Sequence, residues 1–159
     1  MLFTLELLAC IGAGTIGGVF FAFSSFVMKA LSQLPANQGI AAMQRINVVV
    51  LNPVFLGIFM GTAAAALICI AVALLQWNPP HSSFLLAAGI LYLVGCFFVT
   101  LACNVPRNER LAKLSSDSAA TTDYWRTYVR EWTQWNHVRT IASLASAACN
   151  AVALAFHVA

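Results

Sequence analysis

Residues 46–106 read INVVVLNPVFLGIFMGTAAAALICIAVALLQWNPPHSSFLLAAGILYLVGCFFVTLACNVP, 61 consecutive positions without Asp, Glu, Lys or Arg. A membrane span needs about 20 apolar residues, so this stretch must hold two. The break between them is Gln76-Trp77-Asn78-Pro79-Pro80-His81. Paired prolines end a helix there, and the amphipathic side chains suit the headgroup zone. Working outward, residues 7–28 form a charge-free run of 22 and residues 140–159 another of 20. Four spans result, near 5–30, 52–76, 82–104 and 138–158, in one all-α transmembrane bundle over residues 1–159. Only 8% of the chain is charged and 61% is hydrophobic, whereas soluble domains carry about 25% charged residues. The first run carries Glu6, lacks a basic leader and exceeds the roughly 7–15 apolar residues of a signal peptide, so it reads as a retained helix. The cysteines at 10, 69, 96, 103 and 149 sit in or beside spans without disulfide or zinc spacing, and read as small packing residues.

Charge sets the orientation. Lys29 and Arg45 fall in the first connection, while Arg107, Arg110, Lys113, Arg126, Arg130 and Arg139 lie in or border the third. All 8 basic residues therefore share one face, which the positive-inside rule makes cytoplasmic, with both termini outside. The net charge of +3 thus serves orientation, and no nucleic-acid partner is expected. All four tryptophans, at 77, 125, 132 and 135, are expected in interfacial belts. The first connection, residues 35–51, has helix-forming composition and ends where Asn52 reads as an N-cap and Pro53 as the first helical residue. In the third, residues 115–122 read as the least ordered part. From Tyr124 a cytoplasmic helical extension is expected to run unbroken into the last span.

Gly12-Ala13-Gly14-Thr15-Ile16-Gly17 has the letters of a dinucleotide fingerprint but not its strand and βαβ context. Packing is the better reading: Gly14 with Gly18, and Gly57 with Gly61, have the small-xxx-small spacing that lets membrane helices approach, within the bundle or in a homo-oligomer.

The last helix carries the chemistry. On a wheel of about 100° per residue with Trp132 at the origin, Trp135, Asn136, Arg139, Ser143, Ser146, Asn150 and His157 fall within an arc of about 100°. Ile141, Leu144, Ala145, Ala148, Val152 and Phe156 take the opposite, lipid-facing side. Polar groups inside a membrane are costly, and a stripe of them marks a candidate site. Ser143, Ser146 and Asn150 have the simpler use of bonding between helices, and Arg139 that of snorkelling to a lipid phosphate. His137 lies about 140° from the origin, off the stripe. At the opposite end, Glu6, His81 and His157 are weak metal-ligand candidates. Glu6 shares a face with Cys10, Gly17 and Ser24, and is expected to hydrogen-bond His157. At the basic end, Gln44, Asn47, Asn52, Asn104, Asn108 and Asn136 bring amides together with Arg139 and two indoles, the makings of a small-molecule pocket.

Phe23-Ser24-Ser25-Phe26-Val27-Met28, Met43-Gln44-Arg45-Ile46-Asn47, Asn52-Pro53, Asn104-Val105-Pro106-Arg107-Asn108-Glu109-Arg110-Leu111 and Trp132-Thr133-Gln134-Trp135-Asn136-His137-Val138-Arg139-Thr140 resemble the anthrone-oxygenase-like family of small membrane proteins. The resemblance implies oxidation of an anthrone, or a related apolar phenolic substrate, with O2 as co-substrate and without metal or flavin. Residue by residue it points to Asn47, Asn104, Asn108, Trp132, Trp135, Asn136, His137 and Arg139. Arg139 and the amides would hold an enolate oxygen, and Trp132 and Trp135 would stack on the rings. The base is open between His137, with a suitable pKa, and Glu109. Two further classes stay open: a quinone- or lipid-binding module or accessory subunit, and a redox protein with a metal or haem.

Reporter fusions test the orientation. A fusion at Ser116 is expected to report cytoplasm and one after Ala159 the exterior; both positions on one side would contradict four spans.

Overall fold

A computed structural model describes residues 2–114 and 119–157, and side chains of the latter segment from 121 onward. The described residues form helices and their connections, with no strand among them. Helix α1 is a rod over Leu2–Ser32. Its stretch Phe23–Val27 is π-helical, with the Met28 N–H reaching back to the Phe23 carbonyl. Helix α2, Ala36–Val49, is the helix expected of the first connection. Asn52 caps α3, Pro53–Leu75, by accepting from the N–H groups of Val54 and Phe55. Helix α4 covers His81–Ala112, with π-helical stretches at Leu91–Phe98 and Thr100–Asn104. Helix α5, Ala119–Ala155, is 37 residues long, about 55 Å. A hydrocarbon core is only about 30 Å thick, so α5 is both the last span and the extension that precedes it. Four helices are long and apolar enough to cross a membrane, and the chain is a multi-pass integral membrane protein.

The four long helices form a ring in which α5 packs on α1 and α4, and α3 completes the circuit between them. Helix α2 lies against α1, α4 and α5 at the basic end. Gln44 fastens it there, donating to the carbonyls of Leu111 and Leu114 at 2.9 and 3.1 Å. Ala13, Ile16, Phe20, Phe59, Ala63, Tyr92 and Cys96 form the middle of the core. Met28, Leu31, Ile40, Met43, Leu111, Trp125, Tyr128 and Trp132 fill the basic end. Leu8, Ile11, Leu67, Val94, Phe98 and Ile141 are exposed, as lipid-facing side chains of a span must be. All five cysteines are free, with Cys69 and Cys96 buried, as packing residues would be.

Several details depart from the sequence reading. The helix of the third span does not stop near 104 but runs to Ala112, so Arg107 and Asn108 are helical. The extension begins at Ala119, before Tyr124, and the low order expected of residues 115–122 lies partly outside the described residues. Trp77 is 54% exposed, yet Trp125 and Trp132 are not belt residues. They are buried and stack on Tyr128 with ring centroids 5.6 and 6.3 Å apart. The close approaches also fall on other glycines. A Cβ at Gly12 would strike Thr62, and one at Gly89 would lie 2.5 Å from the Ile70 side chain and 3.0 Å from the Ala66 carbonyl oxygen. Gly18, Gly57 and Gly61 meet nothing, and the latter two line an open groove of about 450 Å³ between α1 and α3.

That contrast gives a stability test. Gly89→Ala overpacks the α3–α4 contact and is expected to cost about 1–3 kcal/mol. Gly57→Ala, in open space, is expected to be neutral or to gain up to about 1 kcal/mol from helix propensity. Thermal unfolding in detergent reads both; equal effects would contradict the packing.

Candidate functional site

The polar stripe of α5 faces the ring interior as its periodicity requires: Trp132, Asn136, Arg139, Ser143, Ser146 and Asn150 are all buried. Ile141, Leu144, Val152 and Phe156, on the other face, are exposed.

Arg139 is 3% exposed. Its Nη2 donates to Asn136 Oδ1 at 2.7 Å, and Nη1 to Thr100 Oγ1 at 3.3 Å. The guanidinium lies over two rings, 4.0 Å from the centroid of Phe20 and 5.0 Å from that of Trp132. Its Nε has no partner, and among the described residues no carboxylate lies in ion-pair range. Cation–π contacts contribute up to about 2 kcal/mol when desolvated, and each hydrogen bond to a charged group about 1.5–3 kcal/mol. Burying the ion costs several kcal/mol. The neutral contacts thus soften that cost without supplying an opposite charge, and one donor is left over.

Asn136 is the hub beneath it. Its Nδ2 donates to the Phe20 carbonyl and to Ser24 Oγ, both at 2.7 Å, which frees Oδ1 to face Arg139. Ser24 in turn meets Thr140 Oγ1 at 2.9 Å. All three π-helical stretches supply this neighbourhood: Ser24 comes from the first, Cys96 from the second, and Thr100 with Asn104 from the third. Such segments recur at functional sites because the extra residue per turn shifts side chains and frees backbone groups. One turn toward the basic end, Asn104 Nδ2 donates to the Trp132 carbonyl at 3.2 Å while its Oδ1 has no partner. Asn108 Oδ1 accepts from Tyr128 OH and Trp132 Nε1, both at 2.8 Å. Below that, Arg107 pairs with Glu131 at 3.0 Å and joins α4 to α5.

The expected site residues divide accordingly. Arg139, Asn136 and Trp132 come together, with Asn104 and Asn108 adjoining through Trp132. Arg139 does not bond Asn47, Asn104 or Asn108, as the amide cluster suggested; its amide partner is Asn136, one turn along its own helix. Asn47 is half-buried, with an unpartnered Nδ2. Asn52 is exposed and spent on capping α3. Trp135 and His137 are exposed on the outer side of α5, and Glu109 is exposed on α4. Neither candidate base therefore points at Arg139. Phe20, Ser24 and Thr100 were not anticipated. Ser24 had a signal, lying on the Glu6 face of α1, and Phe20 precedes it by one turn. The two cavities described, one at the groove of Gly57 and Gly61 and one at the Pro79-Pro80 loop, do not reach Arg139.

At the opposite end Glu6 is fully buried. Its Oε1 meets His81 Nε2 at 3.0 Å and His157 Nε2 at 3.1 Å. The expected Glu6–His157 contact is thus formed, with His81 as a third member.

The family model described as anthrone oxygenase matches residues 53–149, 97 of the chain's 159 residues. No curated protein and no solved structure matches the chain. The matched segment contains Thr100, Asn104, Asn108, Trp132, Asn136 and Arg139.

Arg139→Met removes a buried unpaired charge, and replacing buried ionic groups by apolar ones is commonly neutral or stabilising by about 1–4 kcal/mol. Asn136→Leu instead leaves the Phe20 carbonyl, Ser24 and Arg139 short of partners, at about 1–3 kcal/mol. Thermal unfolding is expected to find Arg139→Met at or above wild type and Asn136→Leu below it; the reverse order would make Arg139 a structural residue.

Proposed function

The chain belongs to the anthrone oxygenase family, and from that membership we propose that it is a cofactor-independent membrane oxygenase that oxidises a flat, apolar, phenolic substrate of the anthrone type with O2. The observation that carries this reading is Arg139: a buried cation without a counter-ion among the described residues, lying over two aromatic rings, with an unused N–H. Such a group is matched to an anion that is present only when a ligand is bound. An anthrone enolate has the required charge, planarity and solubility in the bilayer. Its oxygen takes hydrogen bonds from the guanidinium, and its rings lie against Trp132 and Phe20.

In this reading the substrate methylene loses a proton to give the enolate. The resulting carbanion adds O2 and is protonated to a hydroperoxide at that carbon. Loss of water then leaves a carbonyl, so one oxygen atom ends in the quinone and the other in water. With His137 and Glu109 both facing outward, no dedicated side-chain base is assigned. Arg139 lowers the free energy of the anion enough for hydroxide or buffer at the membrane surface to remove the proton. Since the packing around Arg139 is closed, a ligand enters only when side chains around it, Phe20 and Trp132 among them, shift. The basic end is read as cytoplasmic on the positive-inside rule.

The lack of a base beside Arg139 also favours a second reading, a quinone- or lipid-binding module that does no chemistry. Oxygen uptake by detergent-purified protein supplied with an anthrone separates the two. Wild type is expected to consume one O2 per anthrone. Arg139→Lys keeps the charge but loses the planar fork, and is expected to fall by about 10- to 100-fold, toward the loss seen when an oxyanion donor is removed. His137→Gln is expected to stay within about threefold of wild type, because its ring lies off the polar face. Active Arg139→Lys beside inactive His137→Gln would move the site to the outer face. Quinone affinity that depends on Arg139, without oxygen uptake, would select the binding module.

A further inference from the structure

We infer that Glu6, His81 and His157 form a binding site for one divalent first-row transition-metal ion at the end of the bundle opposite Arg139. Each ligand comes from a different helix end: Glu6 from the second turn of α1, His81 from the first residue of α4, and His157 from just beyond α5. His157 lies 18 positions beyond Arg139, nearly all of them helical and about 27 Å along the axis, so this site is independent of the one proposed above.

The donor atoms are already assembled. The Nε2 atoms of His81 and His157 lie 3.0 and 3.1 Å from Glu6 Oε1, and the three ligand atoms fall within 4.8 Å of one another. Donors on adjacent vertices around an ion with bonds of about 2.1 Å sit roughly 3.0–3.4 Å apart, depending on coordination number. Two of the three separations fit such an edge, and the third, between the imidazole nitrogens and within 4.8 Å, shortens by side-chain rotation when an ion binds. Two imidazoles with one carboxylate are a donor set used by zinc and by non-haem iron sites.

The carboxylate is the second, independent observation. Glu6 is 0% exposed, and its Oε2 is buried with no hydrogen-bond partner. A carboxylate at the edge of a span is costly unless its charge is matched. The imidazoles reach one oxygen and leave the other orphaned. A divalent ion supplies the missing positive charge and takes either oxygen. Three protein ligands leave a coordination position open, as in catalytic rather than structural zinc sites. A cavity of about 410 Å³ adjoins it, lined by His81, His157, Gln76, Asn78, Pro79 and Phe156, with room for water or a small ligand at the free vertex. The ion fastens α1, α4 and α5 together at this end.

The test titrates chelator-treated, detergent-purified protein with Co(II), followed by its visible d–d bands, and then displaces it with Zn(II). Wild type is expected to bind about one equivalent of either ion. Glu6→Gln, His81→Ala and His157→Ala are each expected to weaken binding by more than the 10- to 100-fold typical of changes outside the ligand shell. Asn78→Ala, in the cavity wall, is expected to leave affinity within about threefold, since it supplies no ligand. A measurement that needs no variant is the wild-type thermal midpoint, which is expected to rise with Zn(II) and return with chelator. Absence of both the Co(II) bands and the midpoint shift overturns the site, as does binding that survives all three ligand substitutions.

Discussion

A guanidinium in a low-dielectric interior, close to two aromatic rings and with no carboxylate in ion-pair range among the described residues, is the constraint around which the basic half of this bundle is arranged. Arg139 has neutral acceptors at Asn136 and Thr100 and aromatic faces at Phe20 and Trp132. Asn136 and Trp132 are themselves held in place. Asn136 is oriented by Phe20 and Ser24, and Trp132 by Asn108 and Tyr128. Neutral donors and acceptors lower the cost of burying the charge but do not cancel it. In the proposed function, what remains is free energy available to an anionic ligand.

The local helix geometry changes at the same level. In a membrane, helices associate through close packing and polar contacts rather than through burial from water. Stretches that break the 3.6-residue period are therefore retained only where they gain something. Here the π-helical stretches of α1 and α4 flank α5 at the level of Asn136 and Arg139, and they carry Ser24, Thr100 and Asn104. Away from this level the bundle is ordinary. Small residues let α3 approach α4 at Gly89 and let α1 approach α3 at Gly12, and apolar side chains fill the middle. Stability resides in that packing, and the cost of the site is borne by it.

The fold was legible because charge is so unevenly distributed. Sixty-one residues without a formal charge, interrupted by Pro79-Pro80, leave little alternative to two spans, and the wheel of α5 sorted inside from outside for Arg139, Asn136, Ile141 and Val152. A wheel gives direction along one helix but not what stands opposite. It could not tell that Arg139 would meet Thr100 of α4 and Phe20 of α1. Trp135, at the margin of the arc, turned out 36% exposed while Trp125 was swallowed by the aromatic ladder. Departures from α-helical period depend on neighbouring helices, so the π-helical stretches left no pattern to read. Glycine spacing likewise identified small surfaces without saying which pairs touch. Asn52 illustrates a separate ambiguity, since asparagine serves caps and sites equally: the sequence read it both as an N-cap and as a pocket amide, and the geometry keeps only the cap.

Two polar centres thus occupy opposite ends of one bundle, one organised around an unpaired cation and the other around a carboxylate with an orphaned oxygen. The central claim concerns the first, that Arg139 stabilises a ligand's anionic form. Anaerobic titration of the purified protein with an anthrone tests it most directly, because without O2 the bound species persists and the enolate has its own absorption spectrum. Wild-type protein is expected to convert bound anthrone to the enolate at a pH where detergent alone leaves it neutral, and Arg139→Met is not. A bound anthrone that stays neutral on wild type, or an enolate that forms equally well on Arg139→Met, would contradict it.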